Sequence, residues 1–279
     1  MSWLVVARKD FDDAVRSRML WAITALFLLF TAGAVYVRES VLGETPGLPD
    51  VLQFVTVPAS LIIPLTALVV AYLAIAGERE SGSIKLLLGL PHTRADVVFG
   101  KLVGRTAVVA VGIVVAFVGA AVTALALFGD LAVVDFVLVT LVTVLFGLTY
   151  VGIAIGASAF AATRSRAMAL AVGAFFLFQV LWNVVPLGVY YLVEGALPGA
   201  TSRLPAWYYL VQVLNPNNAY SQAADLVFSG AGSIVPAEAL AGSSVPFYVQ
   251  NWFGLVILVV WLVVPVALGY WRFQRVDID

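Results

Sequence analysis

Six long apolar segments decide what this chain can fold into. A bilayer core of about 30 Å needs roughly 20 apolar residues in a helix that rises 1.5 Å per residue. Six segments reach that length: 19–37, 55–76, 102–128, 136–161, 167–193 and 251–271. Only 11% of the 279 residues are charged, whereas soluble domains carry about 25%. The sequence therefore predicts an all-α membrane protein with six transmembrane helices in a single domain, 1–279.

The basic residues predict the orientation, because Lys and Arg favour cytoplasmic loops close to the spans. With both termini in the cytoplasm, all 15 Lys and Arg residues except Arg38 and Arg203 lie on the cytoplasmic side. Removing or adding one span would scramble this pattern, so the charges also support the count of six. We expect a multi-pass protein of the cytoplasmic membrane.

Two segments outside the spans carry helical patterns. Residues 1–18 alternate apolar and charged positions at helical spacing, which predicts an interfacial helix on the cytoplasmic leaflet rather than a solvated tail. Residues 194–250 form the extracellular segment, where clustered aromatic residues predict short helices at the outer interface. Asn218 is the expected cap of one such helix over 219–228.

The third and fourth spans carry local signals of their own. Thr93 and Asp96 form a capping-box pair, so the third helix should run from Arg94 to Phe128, about 52 Å, and begin before the membrane. The fourth span has Gly152 and Gly156 at a spacing that lets two helix backbones approach closely. We expect this pair to serve packing within the chain rather than dimerisation.

The sequence assigns no catalytic residue and no metal site. The chain has no Cys, and its single His, His92, lies in a loop where it cannot activate Ser158 as an intramembrane protease would require. Gly100-Lys101 lacks the remainder of a phosphate-binding loop. We expect no cofactor bound by this chain and no nucleic-acid partner.

Polar residues inside the spans are few. No charged residue falls in the middle of a span, which disfavours a proton-driven or sodium-driven carrier. Gln179 and Asn183 lie four residues apart on one face of the fifth span, where they could line a path for substrate. The alternative is that they only hydrogen-bond to a neighbouring helix.

The loop at 77–101 is the most informative segment. A charged triplet, Glu78-Arg79-Glu80, leads through Gly82 into a short apolar helix, which Pro91 then stops. An apolar helix displayed in the cytoplasm fits a groove of a partner protein, or it lies flat on the inner leaflet. The pattern alone leaves both alternatives open.

This loop resembles that of the ABC-2 type transporter permeases. The resemblance rests on Glu-Arg-Glu followed by glycine, paired leucines, proline, Arg94 and Gly100-Lys101, with Ser83 where the family often has threonine. It extends over the whole chain, including Leu214-Asn215-Pro216 before the last span. Within the family, the chain is similar to the small six-span permeases related to the one that serves nitrous oxide reductase maturation.

The resemblance implies a permease of the type V exporter arrangement, paired with a second permease copy or paralogue and driven by a separate ATPase subunit that binds ATP and Mg²⁺. The loop would be the coupling helix, seated in a groove of the ATPase. The residues that carry over to this role are Glu78, Arg79, Glu80, Gly82, Leu86, Leu87, Leu88, Pro91, Arg94 and Lys101. Copper or sulfur delivery is one implied cargo, with multidrug, lipid-linked or polysaccharide export as open alternatives.

A second hypothesis is a membrane scaffold or regulator that anchors a cytoplasmic partner through the same loop without moving a solute. It is motivated by the lack of a clear translocation residue in the sequence.

Overall fold

The computed structural model describes residues 2–15, 25, 28–30, 33, 48–89, 93–129, 131–199, 204–228 and 246–275. All regular structure in these ranges is helical, as the fold class predicts. The α-helices in chain order are α1 (Ser2–Val15), α2 (Leu48–Ala71), α3 (Ala76–Glu80), α4 (Ser83–Gly89), α5 (Arg94–Phe128), α6 (Val133–Phe160), α7 (Arg164–Gln179), α8 (Val185–Glu194), α9 (Ala206–Val213), α10 (Pro216–Ala224) and α11 (Phe253–Gln274). Two short 3₁₀ helices cover Leu181–Asn183 and Phe247–Val249.

Five stretches of the described residues are long and apolar enough to cross a bilayer. They are Leu52–Glu80, Arg94–Ala126, Val133–Phe160, Arg164–Asn183 and Phe253–Gln274. They confirm membrane-length helices at the second to sixth predicted spans. The first predicted span, 19–37, lies outside the described residues except for Ala25, Leu28–Phe30 and Gly33. The total of six stays a prediction.

The fifth span is not one helix, as 167–193 was predicted to be. α7 ends at Gln179, and a 3₁₀ turn separates it from α8. Pro186 stands in the first turn of α8, where its missing N–H does no harm. Its ring would collide with the carbonyl group of Trp182 if the α-helix continued unbroken.

α5 has both ends where the sequence places them. The Thr93 hydroxyl accepts from the Asp96 backbone N–H at 3.1 Å, and the Asp96 carboxylate accepts from the Thr93 N–H at 2.9 Å. The helix runs for 35 residues and ends at Gly129, which has φ +70°. This conformation favours glycine and ends the helix.

α6 lies at the centre of the bundle and packs against α2, α5, α7, α10 and α11. A Cβ atom on Gly152 would lie 2.7 Å from the carbonyl oxygen of Leu262, and one on Gly156 would overlap the backbone of Pro265 in α11. Gly269 packs against Gly156 in return. The predicted packing of this glycine pair within the chain is confirmed.

α9 and α10 form a hairpin that packs against the bundle. Trp261, about 12 Å along α11 from its start, donates its indole N–H to the carbonyl of Leu214 at 2.8 Å. The rings of Tyr220 and Phe146 stack with centroids 4.3 Å apart. The interfacial position expected for 194–250 stays a prediction, and 229–245 lies outside the described residues.

The cap of α10 differs from the expected one. Asn215, not Asn218, accepts from the Asn217 backbone N–H at 2.8 Å. The physical reason is Pro216, whose fixed φ suits the first helical position and makes the preceding residue the cap.

Candidate functional site

The C-termini of α2, α6 and α11 and the N-termini of α5 and α7 meet on one side of the bundle, together with the short helices α3 and α4. We call this side the charged end. There Arg79 Nη1 donates to the carbonyl oxygen of Ala161 at 2.8 Å, at the C-terminus of α6. Glu80 Oε2 accepts from the backbone N–H of Arg164 at 2.6 Å, in the first turn of α7. A cation at a helix C-terminus and an anion at an N-terminus are both favoured by the helix dipole. Arg79 and Glu80 therefore fix the turn between α6 and α7.

Glu78 belongs to a second set of contacts, the charge cluster of Asp10, Glu78, Lys101 and Arg105. Lys101 Nζ lies 2.8 Å from Glu78 Oε1 and 3.4 Å from Asp10 Oδ1. Asp10 forms a two-point pair with Arg105, whose Nε and Nη2 lie 2.6 and 3.0 Å from its two oxygens. Arg105 also donates to the carbonyl of Val70 at 3.0 Å. Lys101 is only 3% exposed and Asp10 6%. Loss of either charge would therefore leave the other buried without full compensation.

α1 supplies Asp10 from a face packed tightly onto α5. A Cβ atom on Gly100 would lie 2.7 Å from Val6 Cβ, and one on Gly104 would lie 2.8 Å from the carbonyl oxygen of Ala7. Glycine at both positions is what lets the two helices come this close. The predicted N-terminal helix thus forms, although its position on a membrane surface stays a prediction.

Sequence reasoning missed Asp10 and Arg105 as members of the site. The available signal was the repeat of Gly100-Lys101 and Gly104-Arg105 four residues apart, which places two small residues and two cations on neighbouring faces of one helix. The partner helix could not be identified from that repeat.

Ser158 holds the bend between α2 and α3. Its Oγ accepts hydrogen bonds from the backbone N–H groups of Ile75 and Ala76, both at 3.0 Å. These N–H groups lie at the irregular turn where helix α2 has ended, and all three residues are fully buried. The serine set aside as a nucleophile therefore has a structural partner.

Gly82 and α4 form the tip of the predicted coupling loop. Gly82 has φ +75°, which reverses the chain into α4. Ile84 is fully buried and anchors the helix, while Lys85 on the next position is exposed. The side chains of Leu86, Leu87 and Leu88 and the whole of Pro91 lie outside the described part of the structure.

Arg94 joins the start of α5 to the end of α11. Its Nη1 donates to the carbonyl oxygens of Phe273 at 2.7 Å and Gln274 at 2.9 Å. The guanidinium also lies 5.5 Å from the centroid of the Phe273 ring. Like Arg79, it places a cation at a helix C-terminus.

Gln179 and Asn183 lie at the break of the fifth span. Gln179 Nε2 donates to the carbonyl of Ser60 at 2.8 Å, a carbonyl that would have no helical partner because Pro64 lacks an N–H. Asn183 Nδ2 donates to the carbonyl oxygens of Gln179 and Val180 at 3.3 and 3.2 Å, and its side chain is exposed on the bundle surface. Gln179 thus bonds to a neighbouring helix, whereas Asn183 bonds within its own segment and remains accessible, and a role of either residue in a substrate path stays a prediction.

The carbonyl of Phe178, just before the break, is satisfied by the α9–α10 hairpin. Asn215 Nδ2 donates to it at 2.7 Å and Asn217 Nδ2 at 3.4 Å. Tyr150, fully buried in α6, donates its hydroxyl to Asn217 Oδ1 at 2.9 Å. The segment Asn215-Pro216-Asn217 thus satisfies the backbone at the break of the fifth span, a role that its sequence did not reveal.

Among the residues described, no group of three or more His, Cys, Asp or Glu side chains could hold a metal ion. The charged side chains reported above tie helix ends together at one side of the bundle, and the polar side chains reported within it satisfy backbone groups. With five membrane-length helices, these features define a multi-pass membrane protein that carries a short separate helix at its charged end.

Comparison with known proteins gives the family. Residues 4–278 match the family described as ABC-2 family transporter protein. The chain is 31% identical over 278 residues to the probable ABC transporter permease protein NosY of Stutzerimonas stutzeri. It is 29% identical over 279 residues to the protein of the same name from Pseudomonas aeruginosa, and each comparison covers 97% of both chains. The chain belongs to the ABC-2 family of transporter permeases, which confirms the resemblance inferred from the loop.

Proposed function

We propose that the chain is the membrane subunit of an exporter in the cytoplasmic membrane, driven by a separate ATPase subunit that holds ATP and Mg²⁺. The charged end faces the cytoplasm in this proposal, and α4 is the helix that the ATPase grips. Family membership supports the permease role. The finer assignments rest on the geometry of the charged end.

The observation that carries the proposal is the way α4 is mounted. The helix is only seven residues long and cannot be stable alone. It is held by the buried Ile84 and by the Gly82 turn, and its base is fixed through Glu78 and Arg79 to α5 and α6. A small helix mounted this firmly on several spans can pass a push from a partner to the bundle.

The test is stimulation of the proposed partner ATPase, which is to be sought first among genes next to the one for this chain. We expect Leu87→Asp to abolish co-purification and stimulation, because a carboxylate cannot enter an apolar groove. Glu80→Lys should abolish stimulation, because it places a cation at the N-terminus of α7. Leu192→Asp, on an 83% exposed position of α8 at the other side of the bundle, is the matched control and should behave as wild type.

Full stimulation in both loop variants would overturn the coupling role of α4. A transport assay in vesicles that hold both subunits then distinguishes a permease from a scaffold. A scaffold gives no ATP-dependent movement of any candidate solute.

We also propose that a second permease copy packs on the face formed by α2 and α7. Only 17% of the span Arg164–Asn183 is buried. Exposed apolar residues follow each other at four-residue spacing on both helices: Val57, Leu61 and Leu65 on α2, and Met168, Val172 and Phe176 on α7, continued by Val180 just after it. The exposed amide of Asn183 lies beside them, and a polar group facing lipid is costly, so a second copy or a substrate path would cover it.

Cross-linking tests this face directly, since the chain has no Cys of its own. We expect Val172→Cys to form a dimer on oxidation in membranes. Val263→Cys, which is 54% exposed on α11, is the control and should stay monomeric. In transport assays, Asn183→Leu should reduce substrate movement while the ATPase still co-purifies.

A further inference from the structure

The N-terminal helix has more contacts than a helix that only rests on lipid would need. It buries Val6, Ala7 and Asp10 against α5, and the two backbones touch at Gly100 and Gly104. An anchoring helix would keep its charges in water. This one inserts a carboxylate between two cations of a different helix.

We propose that Asp10 is a positioning residue for energy coupling: through the charge cluster it makes α1, α5 and the base of the loop one rigid unit. This inference rests on the proposed coupling of α4 to an ATPase and extends it to the N-terminal helix. Force applied at α4 reaches α5 through Glu78 and Lys101, and Asp10 holds Lys101 in place.

The order of charges in the cluster supports this role. Arg105, Asp10, Lys101 and Glu78 form a row in which each neighbour has the opposite sign. Asp10 is the only member of the row that contacts both cations. Without the charge of Asp10, Arg105 loses its carboxylate partner and Lys101 keeps only Glu78, so neither cation of α5 is tied to α1 any longer.

The geometry of the loop shows why the contact between Glu78 and Lys101 matters. α3 is separated from α2 by the irregular turn at 72–75 and from α4 by Gly82. Ser158, Arg79 and Glu80 tie this segment to α6 and α7, so α3 passes force to α5 only if a further side chain links it to that helix. The 2.8 Å contact between Glu78 and Lys101 is such a link to α5.

The first experiment compares Asp10→Asn with Asp12→Asn in the complex with the ATPase. Asp12 lies on the same helix but is exposed, so it is the matched control. We expect Asp10→Asn to keep co-purification and to lose most of the stimulated ATP hydrolysis, with Asp12→Asn at the wild-type level. Stimulation at the wild-type level in Asp10→Asn would overturn the proposal.

The second experiment replaces the charges by a covalent link. A Cβ atom on Gly104 would lie 3.1 Å from Asp10 Cβ, slightly below the usual 3.5–4.5 Å of a disulfide. The same Cβ would lie 2.8 Å from the Ala7 carbonyl oxygen, so Asp10→Cys with Gly104→Cys requires α1 to move outward, which also brings the two Cβ atoms into the disulfide range. We expect the oxidised double variant to recover stimulation and the same protein after reduction to lose it. Gly104→Cys alone shows what the loss of glycine costs.

These outcomes separate the two proposals. If wild-type protein neither binds nor stimulates the ATPase, the coupling function itself fails. If the wild-type protein stimulates ATP hydrolysis but the oxidised double variant stimulates it no more than the reduced one, the role of Asp10 is overturned while the coupling function stands. If Asp10→Asn fails to fold, the oxidised and reduced states of the double variant still decide.

Discussion

At the scale of single residues, the hydroxyl of Ser158 replaces the helical hydrogen bonds that are missing at the bend after α2. Ser158→Ala would leave the N–H groups of Ile75 and Ala76 buried without their acceptor. We expect it to lower the free energy of unfolding by about 1–3 kcal/mol, measured by thermal unfolding in detergent. Ser60→Ala is the control, because that hydroxyl bonds only to Val57 in its own helix. A melting temperature unchanged from wild type in Ser158→Ala would contradict this assignment.

The contact between α6 and α11 depends on a residue without a side chain. Gly156→Ala places a methyl group against the backbone of Pro265, so the helices must separate, and we expect a loss of roughly 1–3 kcal/mol in stability. A Cβ on Gly188 would meet no atom within 4 Å. Gly188→Ala should therefore be neutral or stabilising by up to about 1 kcal/mol. Equal melting temperatures for the two variants would argue against the close packing.

At the scale of elements, the broken fifth span is held by a hairpin that enters from the opposite side. Asn215→Ala removes the cap of α10, which costs about 0.5–2 kcal/mol. It also leaves the carbonyl of Phe178 with only the 3.4 Å contact from Asn217. We expect faster hydrogen–deuterium exchange of the backbone amides in 181–184. Asn218→Ala is the control, since its amide bonds only within the hairpin, to Gln212. Unchanged exchange in Asn215→Ala would mean that the structure of the break does not depend on this side chain.

The elements differ in how much of them the sequence reveals. α5 was predicted from end to end because Thr93, Asp96 and Gly129 are local signals within a few residues of each helix terminus. The break before α8 was not, because the apolar pattern continues across it and a proline is tolerated in membrane helices. In the structure, Asn215 satisfies the carbonyl of Phe178 just before the break, from 37 positions further along the chain, and no local pattern reports such a contact.

The same reason explains what was missed at the charged end. The triplet and Gly82 stand out as an unusual charged break between two apolar segments, so the loop could be found from the sequence. Asp10 and Lys101 are 91 residues apart. Their encounter depends on how α1 packs onto α5, and in the sequence Asp10 looks like any charge on an amphipathic helix.

At the scale of the whole molecule, the side of the membrane on which the charged end lies can be tested directly. Single cysteines are clean probes in a chain that has none. We expect Ser81→Cys, exposed at the charged end, to react with a membrane-impermeant maleimide only after permeabilisation. Glu194→Cys, exposed at the end of α8, should react in intact cells. The reverse labelling pattern would place the charged end outside and remove the basis for an ATPase partner.

The contacts of Arg94 also bear on the order in which the protein assembles during synthesis. Its two acceptors on α11 lie 179 and 180 positions further along the chain. At roughly 5–20 residues per second of translation, the two acceptors are synthesised about 9–36 s after Arg94. The start of α5 therefore gains these two contacts only after the last span has been synthesised. A chain that is cut short before α11 would leave the ribosome with this end unfinished and recognisable to quality control.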